Sequence, residues 1–191
     1  MSLLSTPVLL MAHPFRGYAE LAGEHRAARA AVTGGMLRFL FVFGAFVAIT
    51  ATGRLAPMEL GSAMISFAYV PAVHAAAAGL AVRVVARDVP PLRMLALYTE
   101  SYGPWFLFVL LVAGGAIFAP EPGGPLSSAL PGLALGGIAW SGTLTYACFR
   151  SGLGLARGRA AAALAIHHLL ILGLYVLYFL AAGQLLPILP W

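Results

Sequence analysis

Apolar residues run almost unbroken through five stretches of the chain, at about residues 35–52, 60–82, 94–119, 129–149 and 161–182. A hydrocarbon core about 30 Å thick is crossed by roughly 20 helical residues at 1.5 Å each, so each stretch is read as a transmembrane helix. The runs are continuous, not alternating, and longer than the 9 to 11 residues of a barrel strand, which disfavours a closed β-barrel. Their connections are short and rich in Pro, Gly and Arg, with no room for a soluble domain between them. The third stretch is the least regular. Only residues 104–119 are cleanly apolar, about 24 Å of helix, so the crossing must borrow the segment holding Tyr98, Glu100 and Tyr102. The fifth runs past a single crossing, toward Gln184, Pro187, Pro190 and Trp191, which are expected at the outer interface.

Ahead of these stretches the pattern changes. The first dozen residues are apolar, but neither a basic start nor a small-residue cleavage site accompanies them, so no secretory signal is expected. From residue 14 to about 32, Phe15, Tyr18, Leu21 and Ala22 recur at helical spacing, while Arg16, Glu20, Glu24, Arg26 and Arg29 occupy other faces. This predicts an amphipathic helix lying on the membrane surface, with Pro14 in its first turn. The expected architecture is an all-α integral membrane bundle, with a cytoplasmic segment at 1–34 and a five-helix transmembrane domain at 35–191.

Composition agrees with the pattern. Of 191 residues, 61% are hydrophobic and 9% charged, against roughly 25% charged in soluble domains, and mean hydropathy is +0.93. Disorder, nucleic-acid binding and a disulfide-stapled module each need charge or cysteine that this chain lacks. It has no lysine, which excludes a phosphate-binding loop with its lysine and a Schiff-base lysine. The lone Cys148 can form no internal disulfide and no paired-cysteine zinc site. All-arginine usage suggests a GC-rich, bacterial source.

The arginines also set an orientation. With five spans, Arg16, Arg26, Arg29, Arg38, Arg83, Arg87, Arg93, Arg150, Arg157 and Arg159 fall on one side and Arg54 alone on the other. Because Lys and Arg accumulate on the cytoplasmic side, a bacterial inner-membrane protein with a cytoplasmic N-terminus and an outside C-terminus is expected.

Polar side chains within a bilayer are costly and become candidate functional residues. Here they are His74, Glu100, Ser141, His167 and His168. Counted from the cytoplasmic arginines, His74 lies nine residues from Arg83, Glu100 seven from Arg93, Ser141 nine from Arg150 and His167 eight from Arg159. At 1.5 Å per residue, all sit about 10 to 14 Å inside one rim. Three chemical readings follow: paired imidazoles holding a metal or a b-type haem; a carboxylate beside imidazoles passing protons or a cation; or Ser141 and a histidine as nucleophile and base. For the last, Ala139-Trp140-Ser141-Gly142 loosely resembles the serine motif of rhomboid proteases, but Ala139 stands where that motif has glycine and such proteases have at least six spans. Against all three stands ordinary packing, in which buried His, Ser and Tyr bond neighbouring helices. His167 and His168 are adjacent, so they point about 100° apart and cannot both face one ligand. Packing is favoured, with no cofactor assigned. Gly132 with Gly136, and Ala75 with Gly79, form small-xxx-small pairs that permit close helix approach.

The cytoplasmic lead-in Leu9-Leu10-Met11-Ala12-His13-Pro14-Phe15-Arg16-Gly17-Tyr18-Ala19-Glu20-Leu21, five closely spaced spans and little tail outside resemble the Yip domain family of five-span membrane proteins. The Asp-Leu-Tyr-Gly-Pro type motif of eukaryotic members is absent before the first span, and Tyr102-Gly103-Pro104 lies elsewhere, so Rab GTPase binding does not carry over. The resemblance implies a non-enzymatic membrane protein acting through lateral or cytoplasmic contacts, as a scaffold or accessory subunit. Its expected partners are the lipid bilayer and a membrane protein or a second copy. The N-terminal helix and the Arg-rich loop at 150–159 are its expected docking surface.

Overall fold

The computed structural model of the chain describes residues 5–23, 28–52, 57–66, 69–102, 109, 111–112, 114–115 and 125–185. Among these residues every regular element is helical, which bears out the all-α class. Most of the third apolar stretch beyond Tyr102 lies outside the described residues, as do Glu24, Arg26, Arg54, Pro187, Pro190 and Trp191.

The first two helices form a tight pair. Helix α1 (Ser5–Ala12), unannounced by any periodicity, is followed after His13 by α2 (Pro14–Gly23). Proline at the first turn of α2 lacks only an N–H that a helix start leaves unbonded anyway. Pro14, Gly17, Tyr18 and Leu21 are buried, at the spacing of one helical stripe. Arg16 and Glu20, one turn apart on the solvent face, form an ion pair at 2.8 Å. Leu10 packs onto Gly17 so closely that a Cβ there would lie 2.9 Å from Leu10 Cδ2 and 3.2 Å from its Cα.

The expected amphipathic helix is therefore present over Pro14–Gly23, residues 24–27 lying outside the described ones, and its apolar stripe faces protein where a membrane surface was expected. Tyr18 is fully buried, and Leu10, Tyr18 and Leu21 join the same core as Met94, Leu97 and Phe149.

Helix α3 (Ala28–Thr52) and α4 (Pro57–Ser66) pack together where a Cβ on Gly44 would meet Met64 Cγ at 2.7 Å. Helix α5 (Tyr69–Val85) makes its most extensive contacts with α8 (Arg157–Leu185). Ala75, Ala78 and Val82 of α5 and Ala160 and Ala163 of α8 are buried in the same core. The segment 94–102 runs opposite to α5, with Met94 at Gly79 and Tyr102 at Pro71, and α8 follows that segment, with His167 at Tyr98 and Tyr175 at His74, so α5 and α8 pair antiparallel.

Helix α6 (Pro91–Tyr98) again opens on proline and tightens into a 3-10 turn, Thr99–Tyr102. Within the crossing expected from residue 94, the chain departs from α geometry at Thr99, whose hydroxyl donates back to the Ala96 carbonyl at 3.2 Å, and is helical again at the described residues 109, 111–112 and 114–115. Helix α7 (Pro125–Ala147) passes into a π-helical turn, Cys148–Gly152, closed by the Leu153 N–H on the Cys148 carbonyl at 2.9 Å. Gly154 then takes φ +70°, a conformation that favours glycine, and turns the chain into α8.

Two stretches among the described residues are long and apolar enough to cross a membrane, Leu60–Val85 with 26 residues and Arg157–Leu177 with 21; Gly34–Ala48 is apolar but shorter. The far half of α8 exposes Leu169, Leu172, Val176, Leu177 and Leu180.

Candidate functional site

The residues expected to share one level do not all meet. His74 on α5 and His167 on α8 do: their ring centroids are 6.3 Å apart, edge to face. Each imidazole is engaged by a tyrosine from another helix. His74 Nε2 lies 3.1 Å from the Tyr175 hydroxyl of α8, and His167 Nε2 lies 3.1 Å from the Tyr98 hydroxyl at the end of α6. With neutral rings, a tyrosine O–H donates to an imidazole nitrogen, or a ring N–H donates to the phenol oxygen. Helix α8 thus supplies a histidine to α6 and a tyrosine to α5. Tyr102, packed 5.7 Å from Tyr98, donates its hydroxyl to the Pro71 carbonyl at 3.2 Å and ties the 3-10 turn to α5.

Glu100 is directed elsewhere. Its carboxylate, 8% exposed, accepts from Arg38 Nη2 of α3 at 3.0 Å. Alongside, the ring of Phe39 leans on Tyr102 at 4.7 Å. A Cβ on Gly35 would approach Thr99 Cβ to 2.6 Å, so glycine is what lets α3 close on the 3-10 turn.

His168, one 100° step round the helix, is exposed where His167 is buried, with Nδ1 2.9 Å from the Leu164 carbonyl of its own helix and its ring edge-to-face with that of His167 at 5.3 Å. Ser141 is half-buried on α7, and among the described residues no hydrogen bond joins it to an imidazole. The nucleophile-and-base arrangement is therefore not assembled.

Among the described residues, two buried side-chain polar atoms lack a hydrogen-bond partner: His167 Nδ1 and the Tyr18 hydroxyl. Tyr18 lies beneath the π turn, its ring near Gly152, and burial pushes its phenol well above the usual range. Among the described residues no three His, Cys, Asp or Glu side chains converge as metal ligands.

Sequence reasoning singled out the histidines and Glu100 but missed Tyr98, Tyr175 and Arg38. Extending the depth count to Tyr98, five residues past Arg93, finds it within a ring's reach of His167. Tyr175 escapes that count, being sixteen residues from Arg159. Helical side chains lean toward their own N-terminus, so on antiparallel helices His74 and Tyr175 lean toward each other and close the offset.

In comparison with known proteins, no family model matches the chain, and no curated protein or solved structure does.

Proposed function

We propose that this chain is a five-span membrane protein that performs no chemistry of its own and acts as a Yip-like scaffold or accessory subunit in membrane organisation. One observation carries the reading: the polar side chains of its apolar helices are engaged with one another, as Arg38–Glu100, His74–Tyr175 and Tyr98–His167. In lipid, such pairs join helices and contribute about 0.6 kcal/mol each. Exposed leucines on α8 support contact with acyl chains, and the excess of arginines on one side supports a cytoplasmic N-terminus in a bacterial inner membrane. Helix α2 lies against the turn at Cys148–Gly152, so the N-terminal helix and the Arg-rich loop form one surface, suited to a membrane-protein partner or a second copy. Nucleic acid is not a partner of so apolar a chain.

A second reading rests on His167 Nδ1, buried and unpartnered beside His74. It makes the imidazole pair a proton-carrying or metal- or haem-binding element. An absorbance spectrum and elemental analysis of the protein purified in detergent separate the two. The scaffold reading expects no Soret band and no stoichiometric metal, with His74→Phe and His167→Phe altering only stability. A band or bound metal lost with either substitution overturns it, as does ion flux in vesicles that Glu100→Gln abolishes without lowering expression.

A further inference from the structure

Two openings meet along the seam between α7 and α8. The first, about 640 Å³, is lined by Arg150, Ser151, Gly154 and Arg157, with Phe15 of α2 at its edge. The second, about 700 Å³, runs between the two helices along Ala139, Gly142, Leu164 and Ala165. Tyr146 lines both, which sets the basic mouth beside the trough as the two parts of a candidate groove.

Three features of this groove converge. Among the described residues lining the mouth none is acidic. The Arg150 guanidinium is held in place by donating Nη1 to the Leu155 carbonyl at 2.9 Å, and Arg157 is exposed at the first turn of α8, where unbonded N–H groups also favour an anion. The trough is mostly apolar: four small residues, Ala139, Gly142, Ala161 and Ala165, line it beside Leu164 and the exposed His168, and Thr143 turns its hydroxyl back to the Ala139 carbonyl at 3.0 Å. The length matches too. Twelve residues separate Ile138 from Arg150, about 18 Å of helix, close to the roughly 15 Å hydrocarbon depth of a single leaflet.

We propose that this groove binds one anionic phospholipid of the leaflet on the arginine-rich side, its phosphodiester against Arg150 and Arg157 and one acyl chain lying along Ala139, Gly142 and Ala165. Charge selects the headgroup, and the small side chains make room for the chain. The proposal rests on the membrane reading above, but binding in detergent does not depend on the span count or on the absence of a cofactor.

The test is titration of the full chain, in a neutral detergent, with phosphatidylglycerol or phosphatidylcholine of identical acyl chains, followed by native mass spectrometry. One phosphatidylglycerol is expected to bind per chain, at least about fivefold tighter than phosphatidylcholine, from about 1 kcal/mol per arginine near an anionic headgroup. Arg157→Gln, on an exposed side chain, should weaken phosphatidylglycerol about fivefold and phosphatidylcholine, whose phosphate is offset by its own choline, by less. Ala165→Phe, which fills the trough from an exposed position, should weaken both lipids. Equal binding of the two lipids, or indifference to both substitutions, overturns the proposal. So does full competition by inorganic phosphate, which would mark a free-phosphate site, and so does a shift from dimer to monomer with Ala165→Phe, which would mark the trough as a contact between copies. Failure of the five-span topology would show in compartment reporters and leave this titration intact.

Discussion

The two ends of the Arg38–Glu100 pair are unequally placed. The carboxylate is 8% exposed and the guanidinium 38%, so removing one partner differs from removing the other. Arg38→Met strands a buried acceptor and should cost about 2 kcal/mol, the scale of an unsatisfied buried polar group. Glu100→Gln keeps an oxygen for Arg38 and removes the buried charge, so its cost should be smaller. Thermal unfolding of the two variants in detergent checks the order, and a more damaging Glu100→Gln would show that charge, not hydrogen bonding, holds the contact. Glu100 was legible as the one acid in an apolar stretch. Its partner was not, because Arg38 lies 62 residues away and sequence alone reads it as one of the cytoplasmic arginines.

Helix against helix, glycine sets the closest approaches. Gly17→Ala would press a methyl group onto the Leu10 backbone and should cost about 1 to 3 kcal/mol, the usual penalty of overpacking. Gly132→Ala meets nothing within 4 Å among the described residues and should leave stability unchanged or raise it slightly, since alanine is the better helix former. Equal melting temperatures for the two variants would contradict this placement of α1 on α2. Of the small-residue pairs visible in the sequence, Ala75 with Gly79 serves packing: Ala75 is buried and Gly79 faces Met94. Gly132 and Gly136 meet no neighbour within 4 Å among the described residues. The contacts at Gly35 and Gly44 were not legible, because spacing cannot say which glycine will face another helix. Nor was α1, an eight-residue segment without amphipathic period. The apolar face of α2 could be read from spacing, but not what covers it. Both a membrane surface and a protein core accept the same stripe, and only Leu10 and the π turn at Cys148–Gly152 decide for protein.

For the whole chain, the proposal of five crossings has a direct consequence. Reporter fusions should place the N-terminus in the cytoplasm and the C-terminus outside, with a site in the loop near Arg54 outside and one in the loop near Arg87 inside. Both termini in one compartment would overturn the orientation and the common depth assigned to the polar residues. The antiparallel pairing of α5 and α8 fits that orientation, since Arg83 ends one helix and Arg157 begins the other. Leaving the far half of α8 apolar and exposed matches a surrounding of acyl chains, for which a leucine face carries no cost.

Composition, continuous apolar runs and arginine placement determined the helical class, the apolar stretches and the residues worth watching, because each is a property of a segment taken alone. The tertiary structure decided which polar groups touch: His74 with His167 and Tyr175, Glu100 with Arg38, and His168 with the ring of His167, while Ser141 bonds to none of them among the described residues. It also set the basic mouth beside the trough between α7 and α8, with Tyr146 lining both. Such pairings depend on the rotation of each helix about its axis and on the lean of its side chains, which are set only when all the neighbours pack together.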